Sequence, residues 1–222
     1  MPNKITTENN FIYLTLDLVL LLLASAIAEQ YAFGSGQKLV TAATVLMLVI
    51  GVFSIQRERR WFNIGLGFVI AITVVAIAGS YLEHAGFHYL HLLIMLCFFL
   101  LTAWLAIQQV LSPNVAYANR ITGAICFFLL LGMIWAMLYL LLMESSTDSF
   151  KGVTAVGWKE NFPHMIYFSF VTLTTLGYGD ITPVLPVPRF LAYMEAVVGQ
   201  FYLAILVASL IGMRYSGSGN KE

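Results

Sequence analysis

The sequence predicts an all-α integral membrane protein, on three observations. Sixty per cent of its 222 residues are hydrophobic and only 10% charged, where a typical globular domain carries about 25% charged residues. So few charges cannot tile a water-facing surface. Six stretches, at roughly 11–28, 39–55, 62–79, 87–108, 121–143 and 190–212, approach the about 20 mostly apolar residues that a helix needs to cross a bilayer. The connections between them are short and hold most of the charge, and no segment resembles a soluble domain or an internal repeat. Eleven Lys and Arg balance eleven Asp and Glu, which removes the case for a nucleic-acid binder. Cys97 and Cys126 lie inside apolar runs, which argues against a disulfide framework or a zinc site.

The first span ends in Leu23-Ala24-Ser25-Ala26-Ile27-Ala28, a small-residue pattern that a signal peptidase could read. It is expected to stay in place, because a single Lys precedes the run, offset by one Glu, and Asp17 interrupts it. No partner for Asp17 is evident from sequence. Between the second and third spans stands the tightest basic cluster, QRERR at 56–60. With the N-terminus inside, Lys4, Arg57, Arg59, Arg60, Arg120, Arg214 and Lys221 face the cytoplasm, and Lys38, Lys151, Lys159 and Arg189 face outside. The positive-inside rule therefore favours a cell-membrane protein with both termini cytoplasmic. Near the start of the fourth span, His84, His88 and His91 share one helical face beside Glu83. Interfacial packing is the first reading, and a proton or divalent-metal sensor the second.

After the fifth span, residues 144–162 are polar, and Asn161-Phe162-Pro163 offers an N-cap with proline in the first turn. The apolar stretch His164 to Leu173 follows. About 12 helical residues reach only roughly 18 Å, so this segment should enter from outside and return. Backbone at membrane depth without helical partners is tolerated only where it is buried in protein or lines a water-filled cavity. Gly177 and Gly179 permit the positive φ angles that aim successive carbonyls the same way. Thr175, Leu176, Gly177 and Tyr178 could then stack their carbonyl oxygens along one axis, with the Thr175 hydroxyl at the inner end.

The run Tyr167-Phe168-Ser169-Phe170-Val171-Thr172-Leu173-Thr174-Thr175-Leu176-Gly177-Tyr178-Gly179-Asp180-Ile181-Thr182-Pro183 resembles the pore helix and selectivity filter of tetrameric potassium channels, in particular small prokaryotic six-span members. The resemblance covers about 161–212 and is vague before residue 120. It implies a homotetramer in which potassium is held by carbonyl oxygens of Thr175 to Tyr178, with Gly179 closing the filter. Thr174, Asp180 and Glu195 would support the filter, with Thr182 and Pro183 bracing the outer mouth. Leu176 stands where the family usually has Val or Ile, but offers the same carbonyl. The implied division is a peripheral four-helix bundle over 1–120 and a pore domain over 121–222, with potassium as permeant ion and no cofactor.

In the sixth span Gly199 sits where the family's inner helix often has its hinge, although close helix packing is an equal reading. Gln200, Leu203 or Ala204, Val207 and Ile211 would line the inner cavity, with Ile211 and Tyr215 as gate candidates. Glu195, an acid inside a span, suggests function by default. It is expected to hydrogen-bond the pore helix through Thr172 or Ser169. The fourth span holds no Lys or Arg, whereas voltage-gated relatives repeat them there, so little voltage dependence is expected. Only about ten residues follow the last span, so no cytosolic ligand-binding domain is expected behind it. A non-conducting regulatory subunit or a less selective cation channel is the alternative. An enzyme or transporter would need an ionisable constellation at the midplane, which Asp17 and Glu195 alone do not supply.

Overall fold

The computed structural model describes residues 10–30, 59–82, 85–110, 117–153 and 157–218. The span expected at 39–55, most of the QRERR cluster, and Lys4, Lys38, Glu83, His84 and Lys221 lie outside the described residues. Among the described residues six α-helices follow in chain order: α1 (Asn10–Gln30), α2 (Arg59–Leu82), α3 (Ala85–Val110), α4 (Tyr117–Ser145), α5 (Trp158–Leu173) and α6 (Pro186–Ser218). A 3₁₀ turn, Thr147–Ser149, leads into strand β1 (Phe150–Lys151), which pairs antiparallel with β2 (Thr182–Pro183).

Helices α1, α2, α3, α4 and α6 stand where the first, third, fourth, fifth and sixth spans were expected, each running past the apolar stretch that marked it. Hydropathy marks only the part suited to hydrocarbon, whereas the i→i−4 ladder continues into the polar flanks. Among the described residues four helices are long and apolar enough to cross a membrane: Phe62–Gly79, Gly86–Gln108, Asn119–Ser145 and Pro186–Ser209. The apolar part of α1, Phe11–Ile27, is shorter.

Helix α4 is the hub, packing against α1, α3, α5 and α6. Its Cys126, Leu130, Met133, Met137, Tyr139 and Leu140 are fully buried. From α1 the face Phe11, Leu14, Leu18 and Leu21 meets it, and from α3 the face Leu92, Met95, Phe99, Ala103 and Ala106. Both faces repeat every three to four residues, the period that keeps side chains on one side of a helix. The opposite sides are apolar too: Leu16, Leu20, Leu23, Ile70, Val74, Leu93, Leu100 and Trp104 are exposed. An outward apolar surface of this extent suits lipid and would be a liability in water.

Lys151 pairs with Thr182, so the chain leaves β1, runs along α5 and comes back beside its starting point within about thirty residues. This return positions the loop 174–181 between α5 and α6.

Candidate functional site

Helix α5 begins at Trp158, earlier than expected, with Gly157 as N-cap. Asn161 is therefore inside the helix and caps nothing, and Pro163 occupies its second turn. Tertiary packing supplies the extra turn: the Trp158 ring lies against His91 of α3, with centroids 4.7 Å apart. Sixteen residues still reach only about 24 Å, short of the ~30 Å hydrocarbon core. The buried face of α5 comprises Phe162, Met165, Ile166, Phe168, Ser169 and Leu173. Phe168, Tyr139 and Phe150 meet edge to face, centroids 5.0–5.6 Å apart, an arrangement that satisfies the ring quadrupoles.

At its C-terminal end α5 turns directly into the glycine-containing loop. The amides of the loop point back at the helix: Thr174 N donates to the Phe170 carbonyl (3.1 Å), Thr175 N to Thr172 (2.9 Å), and Leu176 N and Gly177 N both to Val171 (2.9 and 3.3 Å). These bonds occupy carbonyls that a helix end leaves without partners. Positive φ recurs at every second position, Thr175 (59°), Gly177 (57°) and Gly179 (80°). Among the described residues no backbone amide from outside the regular elements donates to a carbonyl of Thr175 to Tyr178. Thr175 is the single non-glycine residue with positive φ among those described, a strained state that costs about 1–2 kcal/mol for an L-residue. Leu176 and Tyr178 are 56% and 69% exposed in the single chain.

The C-terminal side of the loop, where Asp180, Thr182 and Pro183 were expected to brace it, is held by partners that sequence reading did not name. Tyr167 donates its hydroxyl to Asp180 Oδ2 at 2.6 Å. This bond holds the Asp180 carboxyl below the usual carboxylate range, and pushes the Tyr167 phenol up to about 12. Thr182 and Pro183 are braced by β1, the Val184 amide donates to the Ser149 carbonyl, and Arg189 Nε to the Pro183 carbonyl at 3.2 Å. Gly152, at φ 87°, has no room for a Cβ, which would sit 2.0 Å from the Asp180 carbonyl oxygen. A carboxyl whose folded value is depressed contributes stability that is present above its unfolded value of about 3.9 and lost as pH falls through the folded one. In Tyr167→Phe the acid-side loss of stability, read as thermal melting against pH, is expected at higher pH than in wild type. An unchanged acid limb would remove Tyr167 from the support.

On α6, Glu195 is fully buried, as is Ser169 of α5. Of the two partners expected for Glu195, Ser169 and not Thr172 makes the contact: its Oγ lies 2.6 Å from Glu195 Oε1 and 2.8 Å from the Gly132 carbonyl oxygen of α4. The other carboxyl oxygen receives the Tyr139 hydroxyl at 2.5 Å. Tyr139 was not foreseen, and its sole signal was a polar ring tip in an otherwise apolar span. Gly199 meets the end of α5 so closely that a Cβ would lie 2.1 Å from the Leu173 carbonyl oxygen. That supports the close-packing reading of this glycine. Gln200 Nε2 donates to Thr175 Oγ1 at 3.1 Å, joining α6 to the start of the loop. Thr174 bonds its own helix, through Oγ1 to the Phe170 carbonyl. Leu203, Ala204 and Val207 are exposed on the single chain, and the side chains of Ile211, Arg214 and Tyr215 lie outside the described residues. Tyr202 ties α6 to α4 through the Ala124 carbonyl and rests against Phe127 and Phe128.

The structure separates the histidines. His88 pairs with Glu144 of α4 at 3.0 Å, while His91 is buried under Trp158. Among the described residues no group of three His, Cys, Asp or Glu could hold a metal ion. His164 of α5 meets Glu29 of α1 at 3.3 Å. Asp17 is buried, with Oδ2 unpartnered among the described residues.

Residues 123–214 match a family model described as an ion channel. The voltage-gated potassium channel Kch of Escherichia coli (strain K12) is 28% identical over 181 residues, which are 81% of this chain and 40% of that relative. The chain thus spans well under half the length of that relative. No solved structure gives a significant match. Residues 123–214 are thus similar to an ion channel domain, and the long apolar helices suit a protein that crosses a membrane several times.

Proposed function

We propose that the chain is the subunit of a homotetrameric potassium channel, conducting passively through rings of carbonyl oxygens from Thr175, Leu176, Gly177 and Tyr178. The observation that carries this reading is the backbone of the loop. Every second residue from Thr175 to Gly179 is left-handed, and the amides of Thr175 to Gly177 are turned back onto α5. Such an alternation leaves successive carbonyls free to point to one side, where they can replace the water shell of a cation. One strand cannot surround an ion, so several copies must share an axis. The exposed Leu176, Tyr178, Phe201 and Val207 are apolar surface that neighbouring copies would cover.

In this reading α5 is a pore helix entering from outside, and its C-terminal end, partially negative, favours a cation in the inner cavity. Leu176 in place of Val or Ile changes packing and leaves the carbonyl ring intact. Gln200 and Val207 line the cavity on the inner helix, and the helices before residue 120 form the peripheral bundle. Both termini are cytoplasmic by the positive-inside count.

Reversal potentials of the purified chain in liposomes, under opposed potassium and sodium gradients, test the proposal. A reversal near the potassium equilibrium value is expected. No flux would leave a non-conducting subunit, and a reversal near zero a non-selective channel. Gating is expected to depend little on voltage, because α3 carries no Lys or Arg and each charge moved fully across contributes only about 2.3 kcal/mol per 100 mV. Steep activation equivalent to several charges per subunit would overturn that expectation.

A further inference from the structure

The buried junction of α4, α5 and α6 contains more oxygen contacts than two hydroxyl protons can fill. Three short contacts meet there: Tyr139 Oη to Glu195 Oε2 (2.5 Å), Ser169 Oγ to Glu195 Oε1 (2.6 Å), and Ser169 Oγ to the Gly132 carbonyl oxygen (2.8 Å). Each needs one proton between its oxygens. Tyr139 supplies one and Ser169 one, for a hydroxyl carries a single hydrogen. A carbonyl oxygen and an ionised carboxylate supply none. If Ser169 gives its proton to Gly132, its contact with Glu195 sets lone pair against lone pair. If it gives the proton to Glu195, the same fault moves to the Gly132 carbonyl.

We infer that Glu195 is a neutral carboxylic acid whose proton completes the count, donated from Oε1 to Ser169 Oγ. The chain of bonds then runs from Tyr139 to Glu195, from Glu195 to Ser169, and from Ser169 to the Gly132 carbonyl, with every contact filled. Burial agrees with this: Glu195 and Ser169 are both fully buried, and an isolated carboxylate there would be costly. The ion pairs His88–Glu144 and His164–Glu29 do not involve Glu195, whose hydrogen-bond partners are the hydroxyls of Tyr139 and Ser169.

The role follows from position and rests on the channel reading above. Ser169 lies within α5 two turns before Thr175, and Gly199, one turn beyond Glu195, abuts the last residue of α5. Glu195 thus pins the helix that aims the loop to both α4 and α6, as a positioning residue that acts through Ser169. Neutrality also sets what can replace it. A glutamine amide accepts from Tyr139 with its oxygen and donates to Ser169 with its nitrogen, reproducing all three bonds. Aspartate, one methylene shorter, cannot reach both partners.

The test is infrared spectroscopy of the full chain in liposomes at about pH 7, well above the ordinary glutamate value of about 4.3. A deuterium-sensitive carboxylic-acid C=O band is expected in wild type, absent in Glu195→Gln, and kept in Asp17→Asn, which controls for the other buried acid. Ser169→Ala should shift the band by removing the acceptor. On the same samples Glu195→Gln should keep the potassium-to-sodium permeability ratio within about twofold, while Glu195→Ala and Glu195→Asp lose on the order of tenfold, as unmade buried hydrogen bonds do. No band assignable to Glu195 would overturn neutrality. A full permeability ratio in Glu195→Ala would overturn the positioning role. Absence of potassium flux in wild type would instead sink the channel reading and leave the infrared assignment standing.

Discussion

Replacing Gly177 with alanine is expected to abolish selective potassium flux while leaving the helices intact. Gly177 has φ 57°, and an L-residue pays roughly 1–2 kcal/mol to stay there. Each strand already carries one such residue in Thr175. In the proposed tetramer the added strain recurs four times, roughly 4–8 kcal/mol around a single ring. Relief comes from a peptide flip, which would turn a carbonyl away from the axis and an amide toward it. An added Cβ meets nothing within 4 Å in the single chain, so the effect is conformational and not a clash. Circular dichroism should be unchanged, and potassium efflux from liposomes should fall to the level of empty vesicles. Leu176→Val, which alters no backbone preference of this kind, should conduct. Selective flux through Gly177→Ala would rule out the carbonyl rings as the conducting element.

The second large effect is expected at Gly199. A methyl group placed there would lie 2.1 Å from the Leu173 carbonyl oxygen, more than 1 Å inside an ordinary C···O approach of about 3.3 Å. The obstacle is backbone, so no rotamer change relieves it, and α5 and α6 must part. Overpacking of this kind costs about 1–3 kcal/mol per chain. Separation would also stretch the neighbouring Gln200–Thr175 and Glu195–Ser169 contacts. Gly199→Ala should therefore lower the thermal stability of the assembled protein and reduce flux together. If glycine served here only as a hinge, the same variant would assemble normally and change open probability alone. Melting of the oligomer, followed beside single-channel recording, separates the two.

Much of this molecule was legible along the chain. Five of the expected spans coincide with helices because insertion into hydrocarbon is decided by local apolarity, which is written residue by residue. The loop was legible for a related reason. Gly177 and Gly179 announce positive φ at alternate positions, and the structure adds Thr175 to the series. The boundary of α5 was misread because its first turn depends on Trp158 meeting His91, sixty-odd residues away, and local capping preferences at Asn161 carry no trace of that contact.

Which partners the loop's supports hold was decided by the tertiary structure. Asp180 was expected at the outer mouth, but its clamp, Tyr167, looked like one more aromatic on an apolar helix. Glu195 was marked by its cost inside a span and Ser169 was one of two partners expected for it, but packing chose Ser169 over Thr172 and added Tyr139 from α4. Thus the sequence by itself determined the membrane class, the helices and the glycine-bearing loop, since these follow from hydropathy and backbone freedom over a few neighbouring residues. Only the folded chain determined the supports, because a hydrogen bond needs two groups within about 3 Å, and no periodicity reveals which distant side chains packing brings that close.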